Sequence, residues 1–296
     1  MDRILLLAAA LLWGGTLSAQ RISTQFLGAF SFMGVRYLAG FLSMLPIVYW
    51  EQRYHNHAID GEKKPFSLVL AAAILTIFLT AGTGFQQLGM FYTTAGKAGF
   101  ITAFYIIIVP LLGLFFKKRC GLFVWLGVAL AIVGLYFLCI TESLTIQFGD
   151  FLIFICAILF SIHILIIDYF TLRVDGVKMS CIQFFVCGLL CAVPMLLFET
   201  PDITQLLAAW KPVLYAGIMS SGVAYTLQIV GQKGMNPTVA SLILSLEAVV
   251  SVLAGFVMLD QQLTMRETMG CAFMFCAIVL AQLPQKNIKN AETVSA

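Results

Sequence analysis

The chain is short of charge. Of its 296 residues only 10% are Asp, Glu, Lys or Arg, and it has three histidines and four tryptophans. A soluble domain needs a far more polar surface than this, so a water-soluble globule is excluded. The formal net charge is +3 and the basic residues are scattered among short breaks, so a nucleic acid has no basic patch to bind. Eight cysteines are present, but none are paired at zinc spacing. Cys139, Cys156, Cys181, Cys187, Cys191, Cys271 and Cys276 fall within or at the ends of apolar stretches, and Cys120 sits in a tight basic turn. That is the pattern of small packing residues. No GxxxxGK[ST] loop occurs to cradle ATP, and no HExxH or GxSxG motif supports hydrolytic chemistry. Neither a cofactor nor a metal is expected.

What the chain does have is apolar length. Hydrophobic residues make up 61% of it, and the mean hydropathy is +0.98. A helix needs about 20 apolar residues to cross a bilayer core. Runs of that kind lie between short polar breaks at 4–20, 29–49, 67–87, 97–116, 122–140, 149–170, 179–198, 212–231, 237–257 and 267–283. The expected architecture is all-α, a single ten-helix membrane domain over 1–296 with no soluble appendage. The first run, ILLLAAALLWGGTLSA, also has the shape of a signal peptide, but removing it would leave nine spans and break the repeat described next.

Basic residues orient the spans. With the N-terminus in the cytoplasm, Arg3, Arg53, Lys63, Lys64, Lys117, Lys118, Arg119, Arg173, Lys178, Lys233, Lys286 and Lys289 fall inside, and only Arg21, Lys97, Lys211 and Arg266 fall outside. This positive-inside bias puts both termini in the cytoplasm. The chain also carries one pattern twice. A shift of 142 lays AGFITAFYIIIVPLLG (98–113) on ASLILSLEAVVSVLAG (240–255), and a shift of 141 lays Thr80 and Gln87 on Ser221 and Gln228. Two repeats of five helices, 4–140 and 149–283, must enter the membrane in opposite senses. That is the inverted-repeat plan of secondary transporters, whose substrate sites lie near the midplane.

With LLWGGT in helix 1, the arginine of GVRYLAGF in helix 2, YTTAGKAGFITAFYIIIVPLLGLFF around helix 4, GDFLIF opening helix 6 and PTVASLILSLEAVVSVLAGF in helix 9, the sequence resembles an EamA-type member of the drug/metabolite transporter superfamily over essentially its whole length. The resemblance implies a ten-helix fold, a central cavity and movement of a small metabolite or drug, often outward. One departure is Ala248, which follows Glu247 where many members have proline.

Candidate site residues come from polar groups inside the spans. Thr76, Thr80, Thr83 and Gln87 share one face of helix 3, and Ser221, Tyr225, Gln228 and Gln232 form the matching stripe of helix 8. These are two facing walls of a cavity or, in the plainer reading, hydrogen-bonding glue between helices. Trp13 of LLWGGT joins the cavity set. His163 in helix 6 could bind substrate, carry a proton or donate to a backbone carbonyl, whereas Asp168 and Arg173 near the inner boundary read as interface anchors. Glu247 interrupts an apolar run at its midpoint, where a carboxylate is expensive enough to suggest function; it is the coupling candidate, with Tyr105 at the equivalent position of the first repeat. Arg36 either pairs with Glu247 or snorkels outward. Helices 5 and 10, with Gly127, Gly134 and Gly270, are expected at the periphery, where they could support a homodimer. The expected function is a secondary transporter, an exporter of a small molecule by alternating access, in the cytoplasmic membrane, with the lipid bilayer and its substrate as partners. The alternatives are a passive channel or facilitator and a membrane-embedded enzyme without a recognisable motif.

Overall fold

The computed structural model describes residues 2–54, 66–116, 121–139, 147–259, 264–281 and 283. Among them every regular element is helical and none is a strand. Hydrocarbon offers a backbone no hydrogen bond, and a helix satisfies its own. The elements run α1 (Asp2–Ser23), α2 (Ala29–Tyr54), α3 (Leu68–Gly89), α4 (Ala95–Thr102), α5 (Tyr105–Phe115), α6 (Leu122–Cys139), α7 (Phe148–Phe170), α8 (Gly176–Phe198), α9 (Ile203–Ala208), α10 (Trp210–Leu214), a π-helix over Tyr215–Ala224, α11 (Tyr225–Gln232), α12 (Pro237–Leu244), α13 (Leu246–Leu259) and α14 (Met265–Ala281).

Among the described residues, eight stretches are long and apolar enough to cross a membrane: α1, α2 as far as Glu51, α3, Ala95–Phe115, α7, α8, Trp210–Gln232 and Pro237–Ala254. Three of these are composite, because α4 with α5, α10 with the π-helix and α11, and α12 with α13 each make one span. In α6 and α14 the described apolar stretches, Leu122–Phe137 and Thr268–Ala281, are shorter. Several cations used to orient the chain, namely Lys63, Lys64, Lys117, Lys118, Arg119, Lys286 and Lys289, lie outside the described residues, as does Cys120.

α1 touches α4, α10, the π-helix, α11, α12 and α13, while α2 packs on α8 and α3 on α7. α6 and α14 pack chiefly on each other. Their backbones meet where side chains are absent: a Cβ on Gly134 would stand 2.9 Å from the Met274 nitrogen and 3.0 Å from the Gly270 oxygen, and one on Gly127 2.9 Å from the Ala277 oxygen. In lipid there is no hydrophobic force between helices, so close backbone approach of this kind carries the association. Leu126, Val133, Phe275 and Val279 on this pair are left exposed toward the surroundings.

Loop chemistry fixes the helix ends. Asp175 accepts from the Val177 and Lys178 amides to start α8, and Asn236 accepts from Thr238 to start α12, with Pro237 in its first turn. Both are N-caps that satisfy otherwise orphaned donors. Glu199, just past α8, reaches back to the start of α2, accepting from Phe30 N at 2.9 Å, Ser31 N at 2.7 Å and Ser31 Oγ at 2.6 Å. Asp150 at the start of α7 accepts from Thr93 Oγ1 at 2.8 Å and pairs with Lys97 at 2.5 Å. These contacts hold the connections tight, so that the helices meet in the register the site needs.

Candidate functional site

Two spans are interrupted at matched points. Between α4 and α5 the backbone tightens at Ala103 (φ −64°, ψ −6°) and Phe104 (φ −59°, ψ −15°), and between α12 and α13 at Ser245 (φ −62°, ψ −10°). Ile106 N–H donates to Ala103 O at 3.0 Å and Ala248 N–H to Ser245 O at 3.1 Å. These are i+3 bonds of a short 3₁₀ turn. Proline at 248 would remove the second of them, so with alanine the interruption at Glu247 is a tightened turn, with no donor lost. The residue presented just past each turn is Tyr105 or Glu247, and Tyr105 Oη donates to Glu247 Oε1 at 3.1 Å.

Facing them is the π-helix. Its widened turn shows in Ser221 Oγ donating to Ala216 O at 3.0 Å, five residues back, and wide turns of this kind recur at functional sites. α2 lies close against it, since a Cβ on Gly217 would stand 3.0 Å from Arg36 O and one on Gly40 2.7 Å from the Ser221 Cβ. This closeness delivers Arg36, which is 2% exposed. Its Nε donates to Ser221 Oγ and its Nη2 to Ser220 Oγ, each at 3.0 Å, and its Nη1 has no partner. Neither expectation for Arg36 holds: it is buried rather than snorkelling, and among the described residues no carboxylate lies within 4.0 Å of it. Two serine hydroxyls reach it first because the π-turn brings them to the face against α2.

A cavity lies between these elements, lined by Trp13, Thr16, Leu17, Gln20, Arg36, Gln86, Tyr105, Phe160, His163, Ile164, Ser220, Tyr225, Gln228, Leu244 and Glu247. The cavity measures about 40 Å³. This is room for a few waters or a small ligand group. Aromatic rings form its waist: Trp13 meets Tyr225 edge-on at 4.7 Å, and His163 meets Tyr225 at 6.3 Å. The His163 Nε2 lies 3.3 Å from the Gln183 carboxamide nitrogen, so the ring is tied sideways to α8. A larger recess, about 710 Å³, opens among α3, α5 and α7, but its walls are apolar apart from Asp168, Tyr169 and Arg173 at one end. Convergent polar groups mark a ligand site better than volume does, and they converge in the smaller space. Among the described residues no cluster of three His, Cys, Asp or Glu could hold a metal ion.

Of the residues singled out from the sequence, Trp13, Tyr105, His163, Tyr225, Gln228 and Glu247 line this cavity, and Thr83, Gln87 and Ser221 do not. Thr83 accepts from Tyr37 Oη at 2.7 Å and donates to Leu79 O at 2.7 Å. Gln87 Nε2 reaches Ser23 Oγ at 3.3 Å and Gln20 O at 3.4 Å, and Ser221 is taken by Arg36. These three are ties between helices. The correction on α3 is one residue: Gln86 lines the cavity, accepting from Gln20 Nε2 at 3.1 Å and donating to Thr102 Oγ1 at 3.2 Å. Gln20, Thr16 and Ser220 escaped sequence reasoning because single polar residues among apolar ones look like packing. For Gln20 and Gln86, a glutamine closing an apolar run was the available signal.

A membrane-embedded helical bundle with a polar cavity among its helices, and interrupted helices in the wall of that cavity, has the layout of a transporter. The chain belongs to the EamA-like transporter family, whose model matches it twice, over residues 3–140 and 147–283. It is 29% identical over 281 residues to an uncharacterized transporter of Archaeoglobus fulgidus, covering 93% of this chain and 83% of that one. It is 19% identical to the uncharacterized transporter YoaV of Bacillus subtilis, covering 93% and 94%. One solved crystal structure superposes with a TM-score of 0.77 at 19% identity over 95% of this chain and 98% of its own, a likeness of fold. The protein is thus a multi-pass membrane protein of a transporter family.

Proposed function

We propose that the chain is a secondary transporter that carries a small amphipathic molecule across the cytoplasmic membrane by alternating access. Its two halves, 4–140 and 149–283, are five-helix repeats of opposite orientation, which makes ten spans with both termini in the cytoplasm. One observation carries this reading: the cavity is walled from both halves, and the turns that interrupt one span in each half bring Tyr105 and Glu247, residues 142 apart in sequence, together in its wall. Interrupted helices at corresponding positions are where transporters of the inverted-repeat kind hold substrate. The double match of the family model supports the repeat. Outward movement is what the family resemblance implies. In this reading Glu247 is the group whose protonation couples transport, since it is the single carboxylate in the wall of the cavity.

Counterflow in proteoliposomes tests the proposal. Preloaded unlabelled solute should drive transient accumulation of its labelled form, which a passive pore or an enzyme does not produce. A solute that equilibrates through the protein without counterflow would show a facilitator pore instead.

A further inference from the structure

The larger recess lies on the other side of α7 from the polar cavity. Ile162, Leu165, Ile166 and Tyr169 line the recess from one helical face, whereas Phe160, His163 and Ile164 line the cavity. The two sets are two residues out of phase, about 200° around the helix. The recess therefore opens away from the cavity, toward the surroundings, and Phe116 and Tyr169 in its wall are exposed. At about 710 Å³ it is as large as the roughly 300–1,000 Å³ clefts that hold small ligands. From Ile162 to Tyr169 it runs about 10 Å along α7 at 1.5 Å per residue, which is most of the depth of one leaflet of a hydrocarbon core roughly 30 Å thick. Ile74 of α3 and Leu112 of α5 complete an apolar wall, and the polar groups gather at one end.

At that end the Arg173 guanidinium lies 3.7 Å over the Tyr169 ring and its Nη1 donates to Tyr169 O at 2.5 Å. A guanidinium has five N–H donors. Among the described residues the others find no acceptor, and no carboxylate lies within 4.0 Å. Asp168 beside it is buried and already engaged within the protein, so the open charge at the mouth is positive. In sequence Lys117, Lys118 and Arg119, the longest run of cations in the chain, directly follow Phe116. We infer that the recess is a lipid site, holding an acyl chain of an anionic glycerophospholipid whose phosphate sits on Arg173. The cytoplasmic leaflet supplies it, a point that rests on the orientation proposed above; that leaflet is rich in anionic lipid, and basic pockets between helices beside it take anionic head groups. A soluble ligand would meet no polar group beyond the mouth. A zwitterionic lipid brings its own cation to the phosphate and gains less from Arg173.

Native mass spectrometry of the full-length protein in detergent tests this, with dioleoyl phosphatidylglycerol and dioleoyl phosphatidylcholine titrated separately. One phosphatidylglycerol should bind at least tenfold more tightly than phosphatidylcholine, and glycerol 3-phosphate, the head group without a chain, should not displace it. Arg173→Gln should cut the preference between the two lipids at least threefold, while Arg53→Gln, at an exposed cation on the end of α2, should leave it unchanged. Ile166→Trp fills the recess and should weaken both lipids at least fivefold; if it does not fold, by its own melting curve, Leu165→Trp is read instead. The inference is overturned if the two lipids bind within threefold of each other, if Arg173→Gln leaves the preference intact, if the filled recess binds lipid as before, or if glycerol 3-phosphate competes. A lipid-free dimer that excludes phosphatidylglycerol would assign the recess to a second copy of the chain and would overturn it too. Counterflow plays no part in these readings, so failure of the transporter proposal leaves the lipid site standing, and the converse holds.

Discussion

Replacing Glu247 with glutamine isolates charge from shape. The carboxamide oxygen can take over the 3.1 Å bond from Tyr105 Oη, and the isosteric side chain fills the same wall. A hydrogen bond to a charged group is worth about 1.5–3 kcal/mol and a neutral one roughly half that, so the substitution should cost about 1 kcal/mol of helix tethering and leave the bundle folded. What it removes is titration. A pH difference of one unit supplies about 1.4 kcal/mol per proton, enough to hold about a tenfold solute gradient at zero membrane potential if one proton moves per cycle. Proteoliposomes with the wild-type protein should approach that ratio. The Glu247→Gln variant should stay near unity under the same imposed difference, while its counterflow at symmetric pH falls only a few-fold. A variant that still concentrates solute tenfold would refute Glu247 as the coupling group. Loss of counterflow as well, in a protein with unchanged melting, would make the carboxylate a ligand group or a tie between the two interrupted helices.

Gln86→Leu should reduce counterflow about tenfold, whereas Gln87→Leu should change it less than threefold and act mainly on melting, because only Gln86 faces the cavity; equal losses would show that helix ties and cavity wall cannot be separated on α3. Glu199→Ala removes three hydrogen bonds at the start of α2; at this partly exposed bundle end, where water replaces some of what is lost, about 2 kcal/mol should go, seen as a melting point roughly 5 °C lower. An unchanged melting point would mean that water holds α2 equally well. A cysteine placed at Thr204 should react with a membrane-impermeant reagent from outside intact cells and one at Lys178 only after permeabilisation, and the opposite pattern would invert the orientation.

The spans were legible because crossing hydrocarbon demands an uninterrupted apolar length and little else, so α1, α2, α3, α7 and α8 begin and end within a few residues of the expected runs. Glu247 was legible for the same reason: a carboxylate in such a run stands out against its cost, and its match to Tyr105 followed from the internal repeat. Helical spacing located the α3 and α11 stripes only to a face. Adjacent residues on a helix differ by about 100°, and it is the rotation of α3 against α1 that gives Gln86 to the cavity and Gln87 to Ser23. Nothing local in Ala103, Phe104 or Ser245 announces a tightened turn, since no proline or glycine stands there; the turns come from how each span packs across its counterpart. The π-helix, and with it the serine partners of Arg36, lies where α2 presses close at Gly40 and Gly217, a contact between residues more than 170 positions apart. Composition and apolar length thus determine that this chain lives in a membrane and where it crosses, because those depend on each segment's exchange with its solvent. Which polar atoms meet, and which are left open to a ligand, is decided only when the helices rotate against one another.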